Sequence, residues 1–284
     1  MKVKVLLTAA TLAVTTAAFA ADNVFERTLS VSGSPTVSVA TGSGYIRLKP
    51  GSDNQVHIVG HVHANSNWFG SDRESRIQQI INNPPISQNG NEIMIGNRHN
   101  DNDLFRNISI DYDIAVPRSA NLSAATGSGD MEIQDVGASL KAQTGSGSIK
   151  ASGIQGQATL GTGSGEVELH HTGQGDVKAE TGSGSLHLFG VSGALKASTG
   201  SGDIRIDGQP STDWKISTGS GSIQLALGPS ARFNLDADTG SGSIHVDQPI
   251  TMQGSLNRHH VTGTVNGGGP TIRANTGSGD ITIH

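Results

Sequence analysis

Side chains able to do chemistry are few in this 284-residue chain, and those that recur fall into three groups. His57, His61 and His63 occupy alternate positions of one stretch, so an extended backbone sends all three imidazoles to the same side. At His61 and His63 the Cα atoms are then about 6.6 Å apart, a spacing a transition metal could bridge. A solvated or packed polar strand face explains the same alternation, and no bound metal is expected. Lys178, Lys196 and Lys215 each stand three places before a copy of Thr-Gly-Ser-Gly, as does Lys141. If those copies stack, the lysines form a basic column. It would be either a solvated, edge-protecting ladder or a contact surface for an anionic glycan, a lipid headgroup or another protein, with Glu180 and Asp213 placed to offset repulsion. Arg258-His259-His260 falls where the repeat is irregular, and reads as a further contact candidate or as a tolerated loop insertion.

Most catalytic classes lack their residues. The chain has no Cys, which removes disulfides, thiolate nucleophiles and zinc-thiolate sites. No G-x-x-x-x-G-K-[ST] loop and no G-x-S-x-G elbow occurs among the glycines. A calcium-binding roll needs Asp within each arc, whereas here the position after the motif varies among Tyr, Asp, Ser and Glu. A carbohydrate-active or metal-dependent β-helix enzyme is the alternative from another class, but ten aromatics, with only Trp68 and Trp214 as tryptophans, furnish few stacking platforms. The expectation is a non-enzyme without cofactor. Net charge is −5, and falls to −7 without Lys2 and Lys4, which disfavours nucleic acid as a partner.

The elements that would position these residues follow from the repeat. Thr-Gly-Ser-Gly begins at Thr41, Thr126, Thr144, Thr162, Thr181, Thr199, Thr218, Thr239 and Thr276. From Thr126 the intervals are 18, 18, 19, 18, 19, 21 and 37, the last about two periods. Five and seven places after each Thr, and four and two before it, every residue is apolar, as in Leu195/Ala197 and Ile204/Ile206. Pairs spaced by two are short strands with one face inward. Their order within a period gives two strands per coil of about eighteen residues, joined by two arcs, and a parallel β-solenoid stabilised by stacking. The motif glycines are expected to take positive φ and reverse the chain, and Ala before the arc to give a thin coil without a ligand cavity.

The N-terminal third is less regular. Met1–Ala20, basic and then apolar, ending Ala18-Phe19-Ala20, has the pattern of a secretory signal peptide. Residues 21–121 read as a capping region continuous with the solenoid of residues 122–284. Within it, Val56–Ala64 and Asn107–Val116 alternate as strands. Ser71-Asp72-Arg73-Glu74 matches a capping box ahead of a helix carrying Ile77, Ile80 and Ile81 and stopped by Pro84-Pro85.

Thr41-Gly-Ser-Gly-Tyr-Ile, a helix running into Asn83-Pro84-Pro85, Ile110-Asp111-Tyr112-Asp113-Ile114-Ala115-Val116-Pro117 and serial Thr-Gly-Ser-Gly coils resemble, in that order, the bacterial "putative adhesin" family of β-strand-repeat domains of unknown function. The resemblance spans nearly all of the chain after Ala20. It implies a β-solenoid and a cell-envelope setting, periplasmic or at the cell surface, and carries over no catalytic residues. The expected function is therefore an exported, non-enzymatic, adhesin-like binding surface with no transmembrane span. Thr276–His284, ending in coil grammar, reads as an exposed edge through which copies could pair end to end.

Overall fold

Residues 23–64, 72–96, 103–252 and 258–284 are described by the computed structural model. The signal-peptide pattern of Met1–Ala20, Ser71 of the capping box, and Trp68 lie outside them. The first part of the chain forms β1 (Val24–Ser30), β2 (Thr36–Thr41), β3 (Ile46–Pro50), β4 (Gln55–Ala64), helix α1 (Arg73–Asn82), the hairpin β5 (Ile86–Asn89) and β6 (Glu92–Ile95), and β7 (Ile108–Val116). Asp72 is the N-cap of α1 without a side-chain cap bond. Ile77 and Ile80 bury the helix against the first strands.

The repeats follow as strand pairs. These are β8 (Asn121–Thr126) with β9 (Met131–Gln134), β10 (Ser139–Thr144) with β11 (Ile149–Ile154), β12 (Gln157–Thr162) with β13 (Val167–His171), and β14 (Val177–Thr181) with β15 (Leu186–Val191). Next come β16 (Leu195–Thr199) with β17 (Ile204–Gly208) and β18 (Trp214–Ser220) with β19 (Ile223–Ala226). The chain closes with β20 (Phe233–Ser241), β21 (Ile244–Val246), β22 (Ile250–Thr251), β23 (His260–Val265), β24 (Thr271–Ser278) and β25 (Ile281–Ile283).

One strand of each pair enters each of two sheets. The first is ordered β1-β4-β7-β3-β9-β11-β13-β15-β17-β19-β25-β21, the second β22-β23-β20-β24-β18-β16-β14-β12-β10-β8-β2-β6-β5. Rungs pair in parallel and in register, Ile204 with Ile223 and Leu195 with Trp214. The protein is thus a β-solenoid of two largely parallel sheets with one short α-helix. Of the apolar pairs picked out by the repeat, all are buried except Ile244 and Val246, which are half-buried on β21. Each fully buried aliphatic side chain contributes about 1.5–3 kcal/mol, and no single rung could bury both of its own faces.

The arcs differ in part from the sequence expectation. At Gly129, Gly147, Gly165, Gly184 and Gly202, the fourth place of the motif, φ is not positive, whereas Gly221, Gly242 and Gly279 at the same place in the last three copies have φ of 158°, 158° and 146°. Glycine is needed there because successive arcs stack backbone on backbone: a Cβ on Gly184 would be driven into the carbonyl oxygen of Gly165. Left-handed glycines occur also at Gly137, between β9 and β10, and at bulges inside β11 and β15, at Gly153 and Gly190. The motif threonine points inward and joins two rungs. Thr162 Oγ1 donates to the Gly147 carbonyl at 2.7 Å and accepts the Gly165 N–H at 3.1 Å, and Thr144 repeats the pattern with Gly129 and Gly147. The residue after the motif is also a rung-to-rung tie: the Asp130, Asp203 and Asp280 carboxylates each accept the backbone N–H of a serine on the adjoining rung at 2.8 Å.

The largest correction concerns the end of the chain. β24 and β25 do not extend the stack. They lie between β18/β19 on one side and β20/β21 on the other, bonded to both. Thr276–His284 is therefore interior to the sheets, and the end-to-end pairing expected of an exposed edge there has no edge to use. The 37-residue interval likewise holds no lost coil. β22 and β23 form an antiparallel excursion, β23 pairing with β20, and Arg258-His259-His260 leads into β23 instead of an arc.

Candidate contact faces

Two outer faces carry the residues singled out in the sequence. On the first sheet, β4 lies antiparallel to β7, with His61 opposite Asp111 and His63 opposite Ser109. The three histidines share a face, but each meets a carboxylate on a neighbouring strand. His57 Nε2 lies 2.6 Å from Glu26, His61 Nε2 3.4 Å from Asp113 and His63 Nε2 2.9 Å from Asp111. Asp113 also takes Arg47 at 3.1 Å and the Tyr45 hydroxyl at 2.9 Å, and Arg47 reaches Glu132 at 2.9 Å. Partial burial, then the hydrogen bond to Asp113, push the Tyr45 phenol up to about 12. Among the described residues no group of three or more His, Asp or Glu converges as a metal site. The face is a cross-strand ionic network, continued by Lys150–Glu168–His170 and His187–Glu166.

The second sheet differs. Lys178, Lys196 and Lys215 are aligned on β14, β16 and β18, and the inserted β24 places Arg273 next in the same column. Lys141 is separated from them by Thr159. Sequence reasoning missed Arg273 because it is 58 residues beyond Lys215 and enters the column only through strand insertion. Glu180 takes Lys178 and Lys196 at 2.8 Å each, and these two hydrogen bonds hold its carboxyl below the usual carboxylate range. Arg273 is 3.7 Å from Asp236. Asp213, expected to offset Lys215, accepts the Thr271 N–H at 2.8 Å, and Lys215 has no carboxylate partner among the described residues. Four aligned cations thus share two carboxylates, at about one rung per 4.8 Å.

Arg258, His259 and His260 stand apart from this column at the edge of the stack, exposed, with His260 3.3 Å from Asp238. The thin interior leaves room for side chains only, as at Trp214, which packs over Gly208 and donates Nε1–H to the Gly193 carbonyl at 2.9 Å. Outside that interior, an open groove of about 910 Å³ crosses the far arcs, lined by Val191, Asp207, Gly208, Leu227, Gln248 and His284.

A stack of Thr-Gly-Ser-Gly rungs with two sheets is the arrangement to set beside known proteins. The Toastrack DUF4097 family profile matches residues 35–284. The chain belongs to the Toastrack DUF4097 family. The matched span begins one residue before β2, so this Toastrack domain includes the first rung, the inserted cap strands and the whole repeat. Among solved structures, a "putative adhesin" from Bacteroides fragilis is 16% identical over 92% of this chain and 97% of its own, with a TM-score of 0.38. A "putative cell adhesion protein" from Clostridium sporogenes is 12% identical over 92% of this chain and 98% of its own, with a TM-score of 0.29. No curated protein matches the Toastrack chain. Among the described residues no helix is long and apolar enough to cross a membrane.

Proposed function

We propose that the protein is an exported, non-enzymatic scaffold of the cell envelope that binds a linear acidic glycan along Lys178, Lys196, Lys215 and Arg273. The observation that carries this reading is the column itself: four cations in register on neighbouring strands, sharing two carboxylates. Strand spacing fixes the interval between charges at about 4.8 Å, close to the length of one sugar residue, so a polyuronate lying along the stack axis presents one carboxylate per rung. The rods of hydrogen-bonded rungs lose little conformational freedom on binding, since the cations are aligned before the ligand arrives. Glu180 bridging two lysines holds them in that alignment while neutralising only one charge. The opposite face, where Arg47, Lys150 and His187 each meet a carboxylate, has no comparable surplus. The basic start and apolar run of Met1–Ala20 support export.

Retention of the purified chain on immobilised polygalacturonate, measured across a salt series, tests the proposal. Exposed ion pairs are worth about 0.2–1 kcal/mol each, so Lys178→Glu with Lys196→Glu and Lys215→Glu should weaken binding about tenfold or more and flatten its salt dependence. Arg205→Glu, on the other sheet, should leave it unchanged. Equal binding by the triple variant, binding only to anionic phospholipid vesicles, or release of new reducing ends from the polymer would each overturn the reading.

A further inference from the structure

The inserted position of the last coil makes the slot between β18/β19 and β20/β21 a strand-binding site. Both its walls recognise the occupant through the repeat grammar. Thr276 lies in register with Thr218 on one side and Thr239 on the other, and Ile272 with Trp214 and Leu235. Ile272, Ala274, Ile281 and Ile283 are fully buried there. The occupant arrives by an unusual path. β23 ends at Val265, opposite Phe233 on one side of β20, and β24 begins at Thr271, beside Asn234 on the other side. Residues 266–270, Asn-Gly-Gly-Gly-Pro, must therefore cross the start of β20, moving about two strand spacings, or 10 Å, sideways while reversing direction.

The crossing is tight. Asn266, Gly267 and Gly268 have φ of 49°, 85° and 80°. A Cβ on Gly268 would stand 2.9 Å from the Asn234 side chain and one on Gly269 2.5 Å from the Arg232 carbonyl oxygen. Short, tightly bent connections before an interior strand are the condition under which identical chains exchange that strand, because every contact except the hinge is the same in the exchanged form.

We propose that this slot accepts the terminal coil, Thr271–Ile283, of a second copy of the chain, giving a reciprocally exchanged dimer in which residues 266–270 are extended. The interface is isologous: each copy donates one coil and receives one. Nothing in the proposal depends on glycan binding, but an exchanged dimer would display two basic columns, each containing an Arg273 from the other copy.

The chain has no cysteine, so an engineered pair reports cleanly. Ser217 and Asn275 are register partners on β18 and β24 and lie on the outer face. The full chain carrying Ser217→Cys and Asn275→Cys is refolded at high concentration, separated by size and oxidised. The expected result is a dimer fraction that becomes covalent on denaturing gels, beside a monomer fraction whose disulfide is internal. Deleting Gly268 and Gly269 should raise the dimer fraction several-fold, and inserting a Gly/Ser stretch after Gly268 should lower it. Monomer alone at every concentration, or dimers that never crosslink between chains, would overturn the proposal. If the shortened hinge prevents folding, the crosslinking of the unshortened pair decides.

Discussion

Between β8 and β19 each rung lies on the one that precedes it in sequence, whereas from β20 onward the last coil is threaded between two rungs made before it. The residues of the two regions obey one grammar. Leu195/Ala197 before Thr199 and Ile272/Ala274 before Thr276 are the same apolar pair before the same arc. What differs is the connection. Far arcs such as 153–156 deliver the chain to the next vacant position, while the β22–β23 excursion turns it back antiparallel and the glycine-rich crossing carries it over β20. Repeat grammar therefore specifies what kind of neighbour a rung accepts, and the loops specify which one.

Substitutions at equivalent places in the two regions sharpen this contrast. The largest effect is expected at the inner apolar pair. Ile206→Ala in a regular rung, fully buried, should cost about 2–5 kcal/mol in chemical denaturation. Val246→Ala on the half-buried edge strand β21 should cost markedly less; equal costs would mean that the closing rung is as well packed as the others. Next come the arcs. Gly184→Ala forces stacked backbones apart and should cost about 1–3 kcal/mol, whereas Gly161→Ala, whose Cβ would meet nothing nearer than 3.9 Å, should lie within about 0.5 kcal/mol of the parent. The smallest effect is read where the cap joins the first rung. The chain has two tyrosines, and burial raises both Tyr45, to about 12, and Tyr112. Alkaline absorbance titration should show little tyrosinate at pH 10.0, the ordinary value. Folding favours the protonated phenol, so this contribution is complete below pH 10 and lost as pH rises through about 12. Asp113→Asn should bring Tyr45 down and leave Tyr112 in place.

Much of the architecture was legible because each rung states its own inner face. Apolar residues spaced by two, on either side of an invariant tetrapeptide, can only be strands of one register once they stack, and the column Lys178–Lys196–Lys215 follows from that register. Arg273 was not legible, because its alignment depends on which rung β24 joins. The grammar of β20 and β24 is the same, so a 37-residue interval reads as two periods in sequence order. The signal against that order was the run Asn266-Gly267-Gly268-Gly269-Pro270, the longest run of consecutive glycines in the chain, which matches neither kind of arc in the repeat. The histidine face was legible only in part, for a similar reason. The alternation of the histidines is visible, but their partners Asp111 and Asp113 are about fifty residues away, and only the antiparallel pairing of β4 with β7 brings them together. The role of the motif glycines was legible in part: Gly221, Gly242 and Gly279 take the expected positive φ, while at Gly129, Gly147, Gly165, Gly184 and Gly202 the glycine is needed for close approach of one arc to the next, which leaves no local trace.

The inward threonine hydroxyl has a wider consequence. Thr126, Thr144, Thr162 and Thr181 each bond to the arc before them and to their own, so each of these rungs carries a complete set of fastenings for one junction. Duplicating eighteen residues, the offset between β10 and β12, would lengthen the protein by a single strand spacing and disturb no other junction. Molecules of this design can thus be graduated in length like a measuring stick, one mark per duplication.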